Sequence, residues 1–145
     1  MLALALALAT VAGAAKAGMD TLKNRKRWET SRLNFKLTGK NVPWLTWFGM
    51  KVDWSLFWAC EDLNYHLYHK SPTDLRPRFW GADTVFIALM NGWHFCQWWF
   101  LNGFFLAAAL SAVNPVMGLV WDTLAVLLWT KIAFQLTYWG LQRPS

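Results

Sequence analysis

Two apolar stretches in the second half of the chain constrain the fold more than any other feature. They run from Phe79 to Ala112 and from Val116 to Leu141, and Asn114 and Pro115 mark a turn between them. Each stretch exceeds the roughly 20 residues that a helix needs to cross a bilayer. A soluble domain of 145 residues has too little interior to hide both. We therefore expect an all-α integral membrane protein whose last two spans form a helical hairpin.

The distribution of the 14 Lys and Arg residues predicts the orientation. All except Lys131 can be placed on one side of the membrane, because they lie in segments next to the apolar stretches. Short loops rich in Lys and Arg stay on the cytoplasmic or matrix side during insertion. The pattern predicts an external N-terminus and a cytoplasmic or matrix C-terminus in a bacterial or mitochondrial inner membrane. It does not indicate nucleic-acid binding, because the cations form no patch beside stacking aromatics.

Composition divides the chain into six segments. Residues 1–18 form a predicted N-terminal transmembrane anchor, which brings the expected number of spans to three. A removable signal peptide is the alternative, since Ala15-Lys16-Ala17 fits a cleavage pattern, but the start carries no basic residue. The other segments are a basic connector (19–41), an interfacial aromatic helix (42–69), a turn (70–78), a transmembrane helix (79–113), and a turn with the C-terminal transmembrane helix (114–145).

Tryptophan is concentrated in the predicted helix 42–69. On a helix, four indoles would share one face at spacings of three, four and seven residues. A spanning helix here would carry Lys51 and Asp53 near the bilayer centre, which is costly. We therefore expect an interfacial or re-entrant helix that lies against the headgroups. Its predicted interfacial anchors are Trp44, Trp47, Trp54 and Trp58.

A polar stripe follows one side of the predicted helix 79–113. Polar groups in hydrocarbon need partners, so the stripe should face protein or water rather than lipid. With the turn centred near Asn114, antiparallel pairing would place Lys131 level with Gln97, and Lys131 and Gln135 would point into the stripe. The predicted intramembrane polar set is Asp83, Asn91, His94, Gln97, Asn102, Lys131 and Gln135.

Two groups of residues are candidate cofactor ligands. Asp62, His66 and His69 share one face of a helix, and a carboxylate with two imidazoles can bind zinc or iron. His94 lies inside an apolar segment, where it can ligate haem iron or chlorophyll magnesium. In both cases the plainer interpretation is favoured, namely solvated surface residues for the first and a hydrogen-bonded structural histidine for the second.

Three functions remain open from the sequence. No nucleophile or phosphate-binding motif is present, so we expect no enzyme but a small subunit that contacts lipids and other subunits of a membrane assembly. Respiratory and photosynthetic complexes are typical hosts of such subunits. A pore-forming protein of the holin kind would share the three spans and their orientation. A haem- or pigment-binding protein that uses His94 is the third possibility.

Overall fold

The computed structural model describes residues 1–32, 40–47, 49–60, 76–77, 79–82, 84 and 86–142. Within these ranges the chain is all-helical, with isolated bridges and no strand. Three helices among the described residues are long and apolar enough to cross a membrane, in agreement with the three expected apolar segments. The helices are α1 (Leu2–Leu22), α2 (Arg25–Thr30), α3 (Pro43–Trp47), α4 (Trp54–Phe57), α5 (Gly92–Val113) and α6 (Leu119–Leu141), with a 3₁₀ turn at Ile87–Leu89.

Helix α1 is longer than the predicted anchor 1–18, because it continues to Leu22. Lys16 therefore lies more than one turn before the end of this candidate span. Its ammonium pairs with the carboxylate of Asp20 one turn later, and it lies 6.0 Å from the ring centre of Phe134 on α6. The pair offsets one charge that an apolar environment would otherwise disfavour.

Helix α1 lies between α5 and α6, and this changes the expected hairpin. The two C-terminal helices contact each other much less than each contacts α1. The buried residues of α1 include Ala5, Ala9, Gly13 and Ala17, one every four residues. Small side chains at this spacing let membrane helices approach closely.

Two glycines show how close the approach is. A Cβ on Gly13 would lie 2.5 Å from the backbone oxygen of Thr130 on α6. A Cβ on Gly103 of α5 would lie 3.1 Å from the backbone oxygen of Leu8 on α1. Both interfaces of α1 therefore rest on backbone contact that larger residues would prevent.

The contacts also define the direction of each helix. The Trp129 indole donates a hydrogen bond of 2.8 Å to Oγ1 of Thr10. Gly13, three residues further along α1, lies against Thr130 and Phe134, which follow Trp129 on α6. Helices α1 and α6 therefore run in the same direction. Gly18 lies against Cys96 and Gly103 against Leu8, so α5 runs opposite to α1. The end of α1, the start of α5 and the end of α6 are consequently at the same end of the bundle.

The loop between α5 and α6 is held by the carboxylate of Asp122, which is fully buried in the first turn of α6. It accepts hydrogen bonds from the backbone N–H of Val116 at 2.6 Å and of Met117 at 3.1 Å. A carboxylate near a helix N-terminus is also favoured by the helix dipole. Asp122 thus closes the turn from inside, a role that sequence spacing alone did not reveal.

Helix α5 begins at Gly92, not at Phe79 as predicted. Asn91 is its N-cap, and the Asn91 side chain accepts a hydrogen bond of 2.9 Å from the backbone N–H of His94. Asparagine is among the residues most favoured at this position. Before Asn91, Gly81 has a φ of +77° and the described residues form turns and a short 3₁₀ helix. The apolar composition of this segment therefore does not produce the predicted α-helix.

The predicted aromatic helix 42–69 is wrong over its described part. Two short helices, α3 and α4, stand in its place, and Gly49 between them has a φ of +73°, which ends helical geometry. Asp53 caps α4 by accepting a hydrogen bond of 2.8 Å from the backbone N–H of Leu56. Residues 61–69 of the predicted helix lie outside the described residues.

Candidate functional site

The predicted interfacial tryptophans separate into two groups. Trp44, Trp54 and Trp58 pack with Phe57 in an aromatic cluster, where Trp44 meets Trp54 edge-to-face with ring centres 5.3 Å apart. Trp47 is 85% exposed and remains available to a headgroup layer. Three of the four indoles therefore contribute to the interior of the juxtamembrane region rather than forming one outward face.

This aromatic cluster is joined to the helices at their common end. Trp44 Nε1 donates to the backbone oxygen of Leu89 at 3.0 Å, just before α5. Trp28 Nε1, on α2, donates to the backbone oxygen of Trp58 at 2.9 Å. Next to α2, the backbone N–H of Arg32 bonds the oxygen of Leu141 at the end of α6. The described basic connector thus packs at the end where α5 begins and α6 ends.

Local hydrogen bonds set the charge of the residue that caps α4. Donation from the Ser55 hydroxyl, at 2.5 Å, and from the backbone N–H of Leu56 lowers the pKa of Asp53 below its ordinary value of 3.8. Hydrogen bonds to the ionised form favour that form. The cap of α4 is therefore strongest when the carboxylate is charged.

The structure brings together only part of the predicted polar stripe. Asn91 Oδ1 lies 3.0 Å from His94 Nδ1, so these two residues form one local hydrogen-bonded unit at the start of α5. Gln97 is partly buried, and Asn102 is exposed and donates to the oxygen of Trp98 on its own helix at 2.8 Å. Asp83 lies outside the described residues. The stripe is thus a series of separate polar groups.

Lys131 and Gln135 do not join this stripe by any hydrogen bond among the described residues. The α5–α6 loop runs from 114 to 118, so its midpoint is residue 116 and not residue 114. This shift moves Lys131 away from Gln97 and towards Phe100 and Phe104, with which it lines a cavity. Lys131 is exposed on α6, where a lysine at the centre of a membrane helix costs about 2.5–3.5 kcal/mol on insertion scales.

Among the described residues, three buried side-chain nitrogens have no hydrogen-bond partner: Asn91 Nδ2, Trp93 Nε1 and Gln142 Nε2. They lie at the start of α5 and just after α6, the end of the bundle that also holds the basic connector. A buried donor without a partner costs about 1–3 kcal/mol. Sequence reasoning identified Asn91 as polar but did not identify Trp93 or Gln142 at this position.

The outward faces of α5 and α6 are rich in large side chains. On α5, Trp98 is 48% and Trp99 is 38% exposed, and their indole N–H groups form no hydrogen bond with a described residue. They are the seventh and eighth residues of this 22-residue helix, about two turns from its start. Other exposed large residues of the two helices include Leu101, Phe105, Leu106, Trp121, Leu124, Leu128, Trp129, Leu136 and Trp139.

The structure adds little to the predicted metal and cofactor ligands. Asp62, His66 and His69 lie outside the described residues, and within the described ranges no three His, Cys, Asp or Glu side chains are grouped as metal ligands. His94 packs edge-on against Trp93, with ring centres 4.8 Å apart. Cys60 and Cys96 are both buried, where a thiol packs as a small apolar side chain.

Comparison with protein families, with characterised proteins and with solved structures gives no match for this chain. Its function must therefore be argued from its own residues.

Proposed function

We propose that this protein is a small non-catalytic subunit that packs within a larger membrane protein assembly. The observation that carries the proposal is the character of the outward faces of α5 and α6. They combine exposed aromatic rings, among them Trp98 and Trp99, with the ammonium of Lys131 in the middle of α6, a polar group that lipid tails cannot satisfy. Polar groups at membrane depth are found mainly against protein or water-filled cavities.

The position of α1 supports a stable three-helix unit that presents these faces outward. Both α5 and α6 pack on α1 through its small residues, so α1 supplies the contacts that hold the three helices together. The large residues of α5 and α6 are consequently left for other molecules. Cleavage after a signal peptide would remove most of the helix that joins the other two, so the proposed subunit retains α1.

The proposed orientation has the N-terminus outside and the C-terminus on the cytoplasmic or matrix side of an inner membrane. The supporting feature is the basic connector, whose described part packs at the end of the bundle where α1 and α6 finish. Lysine and arginine next to spans favour that side during insertion. Labelling of single cysteines at position 27 and at position 117 with an impermeant reagent tests this orientation, because only position 117 should react from outside.

The subunit proposal is tested by isolating the tagged full-length chain from its native membrane in a mild detergent. We expect it to migrate with stoichiometric companion proteins in a complex far larger than 16.7 kDa. Trp98→Ala combined with Trp99→Ala should release the companions while the helical circular dichroism remains, because both rings are partly exposed and neither contacts α1 or α6 by a ring contact or hydrogen bond among the described residues. Trp47→Ala is the control, since Trp47 is exposed but lies outside the spans.

A well-behaved monomer from the native membrane would contradict the proposal. Abrupt loss of membrane integrity upon expression in bacteria would instead indicate the pore-forming function. A visible absorption band that disappears in His94→Ala would indicate the haem- or pigment-binding function, for which a hydrogen bond donated by His94 Nδ1 to Asn91 Oδ1 would orient the imidazole.

A further inference from the structure

A cavity of about 340 Å³ opens where α5 and α6 face each other across α1. A water molecule occupies roughly 30 Å³ in the liquid, so this space suits side chains of another molecule rather than isolated water. Phenylalanine, leucine and threonine form most of its wall, and two lysines project from different helices. The lining residues are Lys16, Phe100, Phe104, Leu127, Thr130, Lys131 and Phe134.

The cavity carries one uncompensated positive charge. Lys16 is paired with Asp20, which neutralises it within α1. Lys131 forms neither a hydrogen bond nor an ion pair with any residue in the described part of the chain. A cation among aromatic and aliphatic groups is complementary to an anion, and a desolvated pair is stronger than one in water.

The depth of Lys131 along α6 determines which kind of anion can reach its ammonium. Twelve residues of α6 precede Lys131 and ten follow it, so the two helix ends lie about 18 and 15 Å away along the axis. Snorkelling to the headgroups is a property of lysines near helix ends, not of those in the middle. Helical side chains also lean towards the N-terminus, which for α6 is the end away from the basic connector. A lipid phosphate is therefore badly placed, whereas a side chain on a neighbouring spanning helix is at the correct level.

We propose that this cavity is the docking site for a transmembrane helix of a partner protein that places an Asp or Glu carboxylate against Lys131. The inference rests on the proposed subunit function and names the chemistry of its partner. Phe100 and Phe104 on one wall and Leu127 on the other pack against the apolar part of the incoming helix. The carboxylate completes the polar interaction that no residue in the described part of the chain supplies.

The test uses a synthetic Leu- and Ala-rich peptide of 23 residues with a single central Glu, and a matched peptide with Gln. Each peptide is reconstituted with the full-length protein in phosphatidylcholine vesicles, and association is measured by fluorescence energy transfer. We expect the Glu peptide to bind at least tenfold more tightly than the Gln peptide. Lys131→Met should abolish this preference, and Lys131→Arg should keep it. Lys40→Met, an exposed lysine outside the spans, is the control and should keep it too.

Equal binding of the two peptides, or a preference that survives in Lys131→Met, would overturn the carboxylate partner. The headgroup source is examined by adding phosphatidylglycerol: loss of the peptide preference in these vesicles would show that lipid is the occupant and would also overturn the proposal. Isolation of Lys131→Met from the native membrane distinguishes failure of the carboxylate partner from failure of the subunit function. If Lys131→Met retains its companions, the subunit function stands and the carboxylate partner fails, whereas a monomeric wild type removes the subunit function itself.

Discussion

Helices α1 and α6 have almost the same length, 21 and 23 residues, and both are apolar enough to cross a membrane, yet they have opposite surroundings. The most apolar stretch of α1 is 39% buried inside the protein, and that of α6 only 22%. The difference follows from side-chain size, because α1 offers Ala and Gly at four-residue spacing and α6 offers Trp and Leu. Length and hydropathy decide whether a helix crosses the membrane, and residue volume decides whether it occupies the centre of the bundle.

The largest expected effect comes from filling the α1–α6 interface. Gly13→Leu places side-chain atoms where the backbone of Thr130 lies, so it should lower the free energy of unfolding in mixed micelles by about 3 kcal/mol. Gly140→Leu is the matched control, because a Cβ there meets no atom within 4 Å. Equal losses in the two variants would mean that glycine matters for the helix itself and not for the contact.

Asp122→Ala should have the next largest effect. It leaves the backbone N–H groups of Val116 and Met117 without their charged acceptor, but water reaches this exposed loop and replaces part of the two bonds, so the expected loss is that of one hydrogen bond to a charged group, about 1.5–3 kcal/mol. Unfolding in mixed micelles should show a loss in this range, with faster hydrogen exchange in the loop 114–118. Thr123→Ala, which removes only a bond to its own helix, should change neither quantity appreciably.

A smaller effect should follow the removal of one interhelical hydrogen bond. Trp129→Phe loses the donor to Thr10, and such bonds in membrane proteins are worth about 0.6 kcal/mol on average. Trp139→Phe is the control, because Trp139 is 65% exposed and its indole bonds no described residue. A double-mutant cycle with Thr10→Ala should return the same coupling energy; no coupling would show that the two side chains act independently.

The smallest effect concerns the region outside the spans. The pKa of Asp53 lies below 3.8 in the folded protein, so its contribution to the cap of α4 is complete above that pH. It is lost as the pH falls through the lower folded value. Tryptophan fluorescence, which includes Trp54 in α4, should therefore change in strongly acidic solution, and this change should be absent in Asp53→Asn.

Glu29→Gln is the control for this titration, since Glu29 lies on α2 and caps no part of α4. If the fluorescence change persisted in Asp53→Asn, another acidic group would be responsible. The spans themselves should keep their helical circular dichroism throughout, which separates the local effect from loss of the bundle.

Part of the candidate site was accessible from the sequence. Asn91 was identified as polar, and its place before Gly92 is a typical helix start, so the beginning of α5 could have been predicted from that pair. The level of Lys131 relative to α5 could not be predicted, because it depends on the centre of the loop. A centre at residue 116 instead of residue 114 shifts the residue of α5 opposite Lys131 by about four positions. The packing of Trp44, Trp54 and Trp58 could not be predicted either, because the same aromatic pattern is typical of a headgroup layer and of a packed cluster.

The sequence by itself determined that the protein is helical and has three segments able to cross a membrane, because the length of an apolar run is a local property. Its one-sided distribution of cations is likewise local. Only the tertiary structure decided that α1 is central, that Asp122 closes the loop and that Lys131 lines a cavity beside two phenylalanines. These features depend on which surfaces fit against each other in three dimensions, and spacing along one chain does not contain that information.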